Sequence, residues 1–318
     1  MYQANLFSVI LRTFNRPDFL KEALLSVQMQ SHKEWEIIIF DDGGSSESFS
    51  IFSKFKELNP EHRIVYVTSK TPREFFRSSW NDGFSLSSGD LILRLDDDDL
   101  LTRNSMFELN EIYLQNPELD FSYGSSFKFS ENELIGSQIS YTPIEHPPTR
   151  SIWAGYVQGH PYNSPWMFFD NFYEEPKHFT SIIHASKSNY LCIFHPLVFR
   201  KSSVLPFLNR IKITSNYVDD LEFTGILDYL GLCHTSIKRK LMYHRHHDHS
   251  RVSSGGAIYE DILKIRDLVD ENWRTDNFQS NIHSNKIRCD NLEITEEDNK
   301  EFMFFMDELK KNLEIFNS

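Results

Sequence analysis

The stretch LILRLDDDDLL, Leu91 to Leu101, runs an apolar, β-prone segment straight into Asp96, Asp97, Asp98 and Asp99. Four adjacent like charges repel one another, so collecting them makes physical sense where a cation binds them together. Along an extended chain alternate residues project to one side, which lets Asp96 and Asp98 act together while Asp97 points away. Carboxylates on one loop at the end of a buried strand suit a divalent cation that takes oxygen ligands and keeps waters for a phosphate. An acidic loop that merely caps the next helix, near Thr102, accounts for one or two aspartates and not for four.

Working outward, the first hundred residues alternate strand-like and helix-like segments. Leu6–Leu11 and Trp35–Phe40 are short apolar runs, and Arg63–Thr68 and Leu91–Leu95 read as further strands. Between them, Pro17–Gln30 carries Leu20, Ala23, Leu24 and Val27 at helical spacing, with Pro17 where a first helical turn tolerates it. Helices are also predicted at about Glu47–Leu58 and Ser78–Ser88, and then at Thr102–Gln115. Strict alternation implies an α/β fold with a mainly parallel sheet covered by helices on both faces, and such sheets bind ligands at the carboxyl ends of their strands. Asp41 and Asp42 end the second strand as Asp96–Asp99 end the fourth, so both acidic clusters fall on that rim.

Beyond Gln115 the rhythm changes. A strand is expected over 119–129, then a proline-punctuated aromatic stretch over 140–180 that includes Trp153 and Trp166. Such a stretch reads as a lid or insert, or equally as a loop packed by its own rings. A helix over Tyr217–Leu230 carries Asp219, Asp220 and Glu222, and a strand at about Ser236–Tyr243 ends in HRHHDHS. Acidic amphipathic helices are expected at Ile258–Asn272 and Glu296–Asn312. The organisation expected is a nucleotide-binding half at 1–118, an acceptor-binding half at 119–254 and a C-terminal helical extension at 255–318.

Composition narrows the partners. The chain has 318 residues, 40% of them hydrophobic, enough to bury a sizeable core. A net charge of −13 argues against general nucleic-acid binding. Cys192, Cys233 and Cys289 form neither a disulfide framework nor a zinc pattern. The opening MYQANLFSVIL lacks the basic-then-apolar order of a signal peptide, and no apolar run reaches about 18 residues, so a cytoplasmic protein is expected, or one peripheral at the inner face of a membrane.

SVILRTFNRPDFLKEALLSVQMQ…WEIIIFDDGGS followed by WNDGFSLSSGDLILRLDDDDLL resembles the nucleotide-sugar-binding half of family-2 glycosyltransferases of the GT-A fold. The resemblance is strong over about 6–115 and weaker over 190–253. It implies an inverting, metal-dependent transfer from a nucleoside-diphosphate sugar, UDP-linked, to a glycan or glycolipid hydroxyl. On that basis Thr13, Asn15 and Arg16 line the nucleotide, and Asp42, with Asp41 beside it, meets the base. Asn81 and Gly83 match an ARNxG-like segment in which Trp80 stands where arginine is usual; Arg77 or Arg94 is then the candidate diphosphate contact. Asp96 and Asp98 match the DXD motif that holds Mn²⁺ or Mg²⁺, Asp98 most directly, with Asp99 as a supporting carboxylate. Asp219-Asp220 matches the acidic pair that supplies the general base, Asp220 at the base position.

Four histidines, 244, 246, 247 and 249, fall close together. Strand alternation puts His244 and His246 on one face and His247 and His249 on the other. Arg245, His247 and Ser250 match the RxHxxS pattern of the family, and that resemblance implies His247 as the candidate third contact to metal or diphosphate. Lys238-Arg239-Lys240 reads as a solvated face. Among competing readings, a haloacid-dehalogenase-type phosphatase wants its aspartates on the first strand, and a non-catalytic nucleotide-sugar-binding protein predicts a damaged acidic motif. A dinucleotide dehydrogenase fails for want of GxGxxG.

Overall fold

The computed structural model describes residues 4–69, 75–138, 149–150, 196–210, 223, 227, 232–247 and 294–318, a few of them by backbone alone. Four strands open the fold: β1 (Phe7–Thr13), β2 (Trp35–Asp41), β3 (Ile64–Thr68) and β4 (Leu91–Asp96). They alternate with helices α1 (Pro17–Gln28), α2 (Ser46–Leu58) and α3 (Phe75–Leu86). Then follow β5 (Leu100–Leu101), α4 (Ser105–Gln115), β6 (Phe121–Ser130), β7 (Glu133–Gln138) and β8 (Thr149–Arg150). The described remainder comprises β9 (Leu197–Arg200), α5 (Lys201–Val204), a 3-10 turn (Leu205–Arg210), β10 (Cys233–Arg245) and α6 (Glu296–Asn317).

The ten described strands join one sheet, ordered β3-β2-β1-β4-β9-β6-β10-β5, with β7 on β6 and β8 on β10. The first four run parallel, as the alternation implies. β9 then enters antiparallel between β4 and β6, and β10 lies parallel to β6. The sheet is therefore mixed, and the sequence reading did not include β5, β7, β8 or β9.

Period-two burial builds two cores. Odd positions such as Val9, Leu11, Ile37, Ile39, Leu93 and Leu95 pack with α1, α2 and α6, including Phe302, Phe305 and Leu309. Even positions such as Ile10, Ile38, Phe40 and Ile92 pack with Trp80, Phe84, Phe199, Phe223 and Leu227. All seven residues of β2 are buried, the pattern of a strand covered on both faces. Local chemistry starts the helices: Ser45 Oγ accepts from Ser48 N at 3.0 Å, and Thr295 and Asp298 form a capping box that opens α6.

Topology locates the functional rim. From β1 the chain moves outward through β2 to β3 and then crosses back to β4 on the other flank of β1. The strand order thus reverses between β1 and β4, where open α/β sheets form their ligand crevice. Asp96–Asp99 emerge at that point. Among the described residues no helix is long and apolar enough to cross a membrane.

Candidate active site

The β1–β4 ladder ends at Arg12 opposite Asp96, so the next three aspartates turn free of the sheet. Asp99 N donates to the Asp96 carbonyl at 3.2 Å, which closes a tight turn. The four carboxylates turn to different sides, with Arg16 shared by Asp97 and Asp98. Asp96 lies on the even face, beside Arg94 at 2.7 Å and Arg12 at 3.5 Å. Asp97 turns to the odd face and is buried, accepting from Thr13 Oγ1 at 2.7 Å with Arg16 at 3.3 Å. Asp98 meets Arg16 at 2.5 Å and His247 Nε2 at 3.2 Å. Asp99, also buried, pairs with His244 Nδ1 at 3.0 Å.

These contacts shift the groups as electrostatics requires. Burial pushes the Asp97 carboxyl up, and Arg16 opposes the shift. Burial alone would lower the Arg16 guanidinium; Asp97, Asp98 and Asp96 together hold it above its ordinary value. The Asp99 carboxylate raises His244 to about 9 against the opposing effect of burial, so the imidazole is a cation at neutral pH.

A second acidic lip forms where β2 ends. Asp41 is fully buried and accepts from Gly43 N at 2.9 Å, Gly44 N at 3.0 Å and the Tyr66 hydroxyl. Burial and the neighbouring Asp41 push the Tyr66 hydroxyl above its usual value, which keeps it a donor. Asp41 thus shapes the turn with its own carboxylate. Asp42 follows, its N–H donating to the Thr13 carbonyl at 2.9 Å, which ties the β2 lip to the β1 lip. Asn15 sits across from this turn with φ of 51°, a conformation asparagine tolerates better than most residues.

The sequence-predicted residues fall into three groups. Thr13, Asn15, Arg16, Asp41, Asp42, Asp96, Asp98 and His247 come together at the β1–β2–β4 rim, with Thr13 and Asp41 engaged in holding neighbours. Asn81 lies in α3, half-buried, with its Oδ1 buried and lacking a hydrogen-bond partner among the described residues. Arg77 lies in α3 with its side chain outside what is described, and Asp219, Asp220, His249 and Ser250 fall outside the described residues, as do the aromatic stretch of 151–180 and the expected helix at Ile258–Asn272. Trp80 is a core residue, stacked on Phe223 at 4.2 Å, with Arg94 over its ring at 5.5 Å. Arg94, at 1% exposure, holds Asp96 rather than facing solvent.

Histidine placement differs from strand alternation. β10 ends at Arg245, so the two-residue period does not extend through His247. His244 and His247 both reach the acidic turn, while His246 is exposed. Lys240 is only partly solvated: it pairs with Asp298 and lies over Phe127 at 4.3 Å, whereas Arg239 is exposed and pairs with Glu108. Sequence reasoning missed Tyr66, Glu22 and Phe19; an apolar strand position and a helix face carry no local mark of a functional neighbour.

Among the described residues no three His, Cys, Asp or Glu side chains gather as a ready metal cage. Two carboxylates on one exposed-edge turn still fit Mg²⁺ or Mn²⁺, which complete their shells with water and phosphate oxygens.

A mixed sheet with a parallel βαβ half and acids at its reversal point, here with an added C-terminal helix, is similar to the GT-A glycosyltransferase fold. The S. aureus TarS 1-349 structure in complex with UDP-GlcNAc shares this fold with a TM-score of 0.54, covering 84% of this chain and 66% of that one at 16% identity. The glycosyl transferase family 2 model matches residues 8–185, more than half of the chain, and the chain belongs to that family. A Campylobacter jejuni GalNAc(5)-diNAcBac-PP-undecaprenol beta-1,3-glucosyltransferase is 33% identical over 102 residues, 32% of each chain. Bacillus subtilis protein CgeD is 26% identical over 137 residues, 42% of this chain and 32% of that protein. The matches span about a third of the length of these curated relatives.

Proposed function

We propose that this chain transfers a sugar, with inversion, from a UDP-linked donor to a hydroxyl of a glycan or glycolipid acceptor. The observation that carries the reading is the Asp96–Asp99 turn at the β1/β4 reversal point, beside the Asp42–Asn15 lip. TarS binds UDP-GlcNAc on the same fold, which supports a uridine donor here. In this reading Asp42 and Asn15 take the nucleoside, with Asn81 and Arg77 towards the diphosphate. Asp96 and Asp98 hold Mn²⁺ or Mg²⁺, with His247 as a further contact. The bound cation supplies Lewis-acid stabilisation of charge developing on the leaving diphosphate.

The chain's own residues do the rest. Asp220 accepts the acceptor's hydroxyl proton as that oxygen attacks the anomeric carbon from the face opposite the diphosphate, forming one C–O bond as the other breaks. Asp219 supports the start of the helix that bears the base. Arg12, Arg94 and Arg16 keep the acidic turn from repelling itself apart. The test is a panel of nucleotide sugars assayed for consumption with Mn²⁺, with Mg²⁺ and with EDTA. Metal-dependent release of UDP from one donor is expected; no donor consumed and no UDP bound under any condition overturns the reading.

A further inference from the structure

Arg245, the last residue of β10, is tied both to the acidic turn and to α1. Its backbone N–H donates to Asp99 Oδ1 at 3.1 Å, and its Nε donates to the Asp98 carbonyl at 3.1 Å. Its Nη2 pairs with the Glu22 carboxylate of α1. The guanidinium also lies over the Phe19 ring at 4.8 Å and the Phe129 ring at 4.5 Å. The side chain is 10% exposed. A guanidinium grips phosphate through its free N–H fork, and here Nε and Nη2 are both committed to protein.

The turn it grips needs that hold. Beyond Asp96 there is no β1–β4 ladder, and the carboxylates repel one another. Phe19 also packs on the His247 ring at 5.0 Å, so one small cluster touches Asp98 through its carbonyl and His247 through its ring. Both groups belong to the metal reading above, on which this inference rests.

We propose that Arg245 is a positioning residue for the metal–diphosphate site. With Glu22 and Phe19 it holds the Asp98 main chain and the His247 ring in the geometry in which both face the cation, and it touches no substrate itself. Outer contacts of this kind change metal affinity by about 10–100-fold when removed.

The experiment uses the full chain and reads Mn²⁺ binding directly, from the electron paramagnetic resonance of free Mn²⁺, with and without UDP. Arg245→Lys keeps a charge for Glu22 but loses the Nε bond and the guanidinium over the two rings. It is expected to weaken Mn²⁺·UDP binding about 10–100-fold, while UDP binding in EDTA stays at the wild-type level. Glu22→Gln leaves Arg245 in place and is expected to weaken Mn²⁺ binding several-fold in the same sense. Wild-type Mn²⁺ affinity in Arg245→Lys, or in Glu22→Gln should the lysine variant not fold, overturns the proposal. So does a loss confined to metal-free UDP binding, which would make Arg245 a diphosphate contact. Asp98→Asn separates the premises: if it binds Mn²⁺·UDP as the wild type does, the metal reading fails and the proposal fails with it.

Discussion

A Cβ placed on Gly43 would stand 2.2 Å from Asn15 Oδ1, a separation no side chain accepts. Gly43 is therefore where the β2 lip lets the β1 lip approach, and an added Cβ would push the Asn15 side chain away from that lip, with Asn15 N already at 3.3 Å. Gly43→Ala should raise the Kd for UDP by about tenfold or more, since a displacement of even an ångström at a binding lip has large effects. Isothermal titration with UDP measures it; an unchanged Kd places the nucleoside elsewhere. The base is also a question for single residues. Asp220→Asn should bind UDP normally yet lose transfer by about 10²–10⁴-fold, because an amide cannot take the acceptor proton. Asp219→Asn should be milder, since a neutral cap still accepts a backbone hydrogen bond. On the helix expected from the sequence, successive positions point about a hundred degrees apart, so the two acids are not expected to address one hydroxyl. A dead Asp219→Asn beside an active Asp220→Asn moves the assignment by one residue, and two active variants end the mechanism.

At the scale of elements, the far ends of the strands are fastened by a buried carboxylate. Glu36, 2% exposed at the start of β2, accepts from Ser8 of β1, from Ser88 after α3 and from Arg63 before β3. Burial alone would raise its pKa, but the donors from Ser8, Ser88 and Arg63 hold it below 4.5. A carboxylate depressed in the folded state contributes stability above pH 4.5, and that contribution is lost as pH falls through the lower folded value. Glu36→Gln should therefore cost about 1–3 kcal/mol at neutral pH, and the difference from wild type should shrink in acid. Urea denaturation across pH reads both; a gap that stays constant with pH would mean the cost is packing alone. The other end of the sheet is braced by α6, whose Phe302 and Phe305 pack on Tyr243 of β10, with Asp298 tied to Lys240. That bracing sets β10, and β10 delivers His244, Arg245 and His247 to the acidic turn.

For the whole molecule, charge decides how the donor is held. The chain carries −13, and Asp41, Asp42 and Asp96–Asp99 crowd one rim. Such a field repels a diphosphate, and the nearby Arg12, Arg16 and Arg94 are already paired with those aspartates. Affinity for UDP should consequently rest on an added divalent cation. EDTA should weaken UDP binding at least about tenfold, a loss of about 1.4 kcal/mol, and Mn²⁺ should restore it. Equal UDP affinity with Mn²⁺ and with EDTA removes the cation from the donor site.

The βαβ half was legible in the sequence because strand and helix periods lie within a window of a dozen residues. LILRLDDDD and IIIFDD each carry a buried strand and the acids at its end in one contiguous run, so the rim and its acidic character could be read directly. Which aspartate faces which partner could not. Asp98 meets His247 across 149 positions of sequence, and Glu22 meets Arg245 across 223. Those pairings follow from the insertion of β9 between β4 and β6, and from β10 lying between β6 and β5. That order depends on which apolar faces bury one another, and no local pattern encodes it. Trp80 makes the same point. Its motif position suggests a ligand contact, yet its register on α3 turns the ring into the core against Phe223 and leaves Arg94 to hold Asp96. The sequence by itself determined the kind of sheet and where its acids collect; the tertiary structure alone decided how distant strands and helices hold those acids, because long-range burial sets strand order.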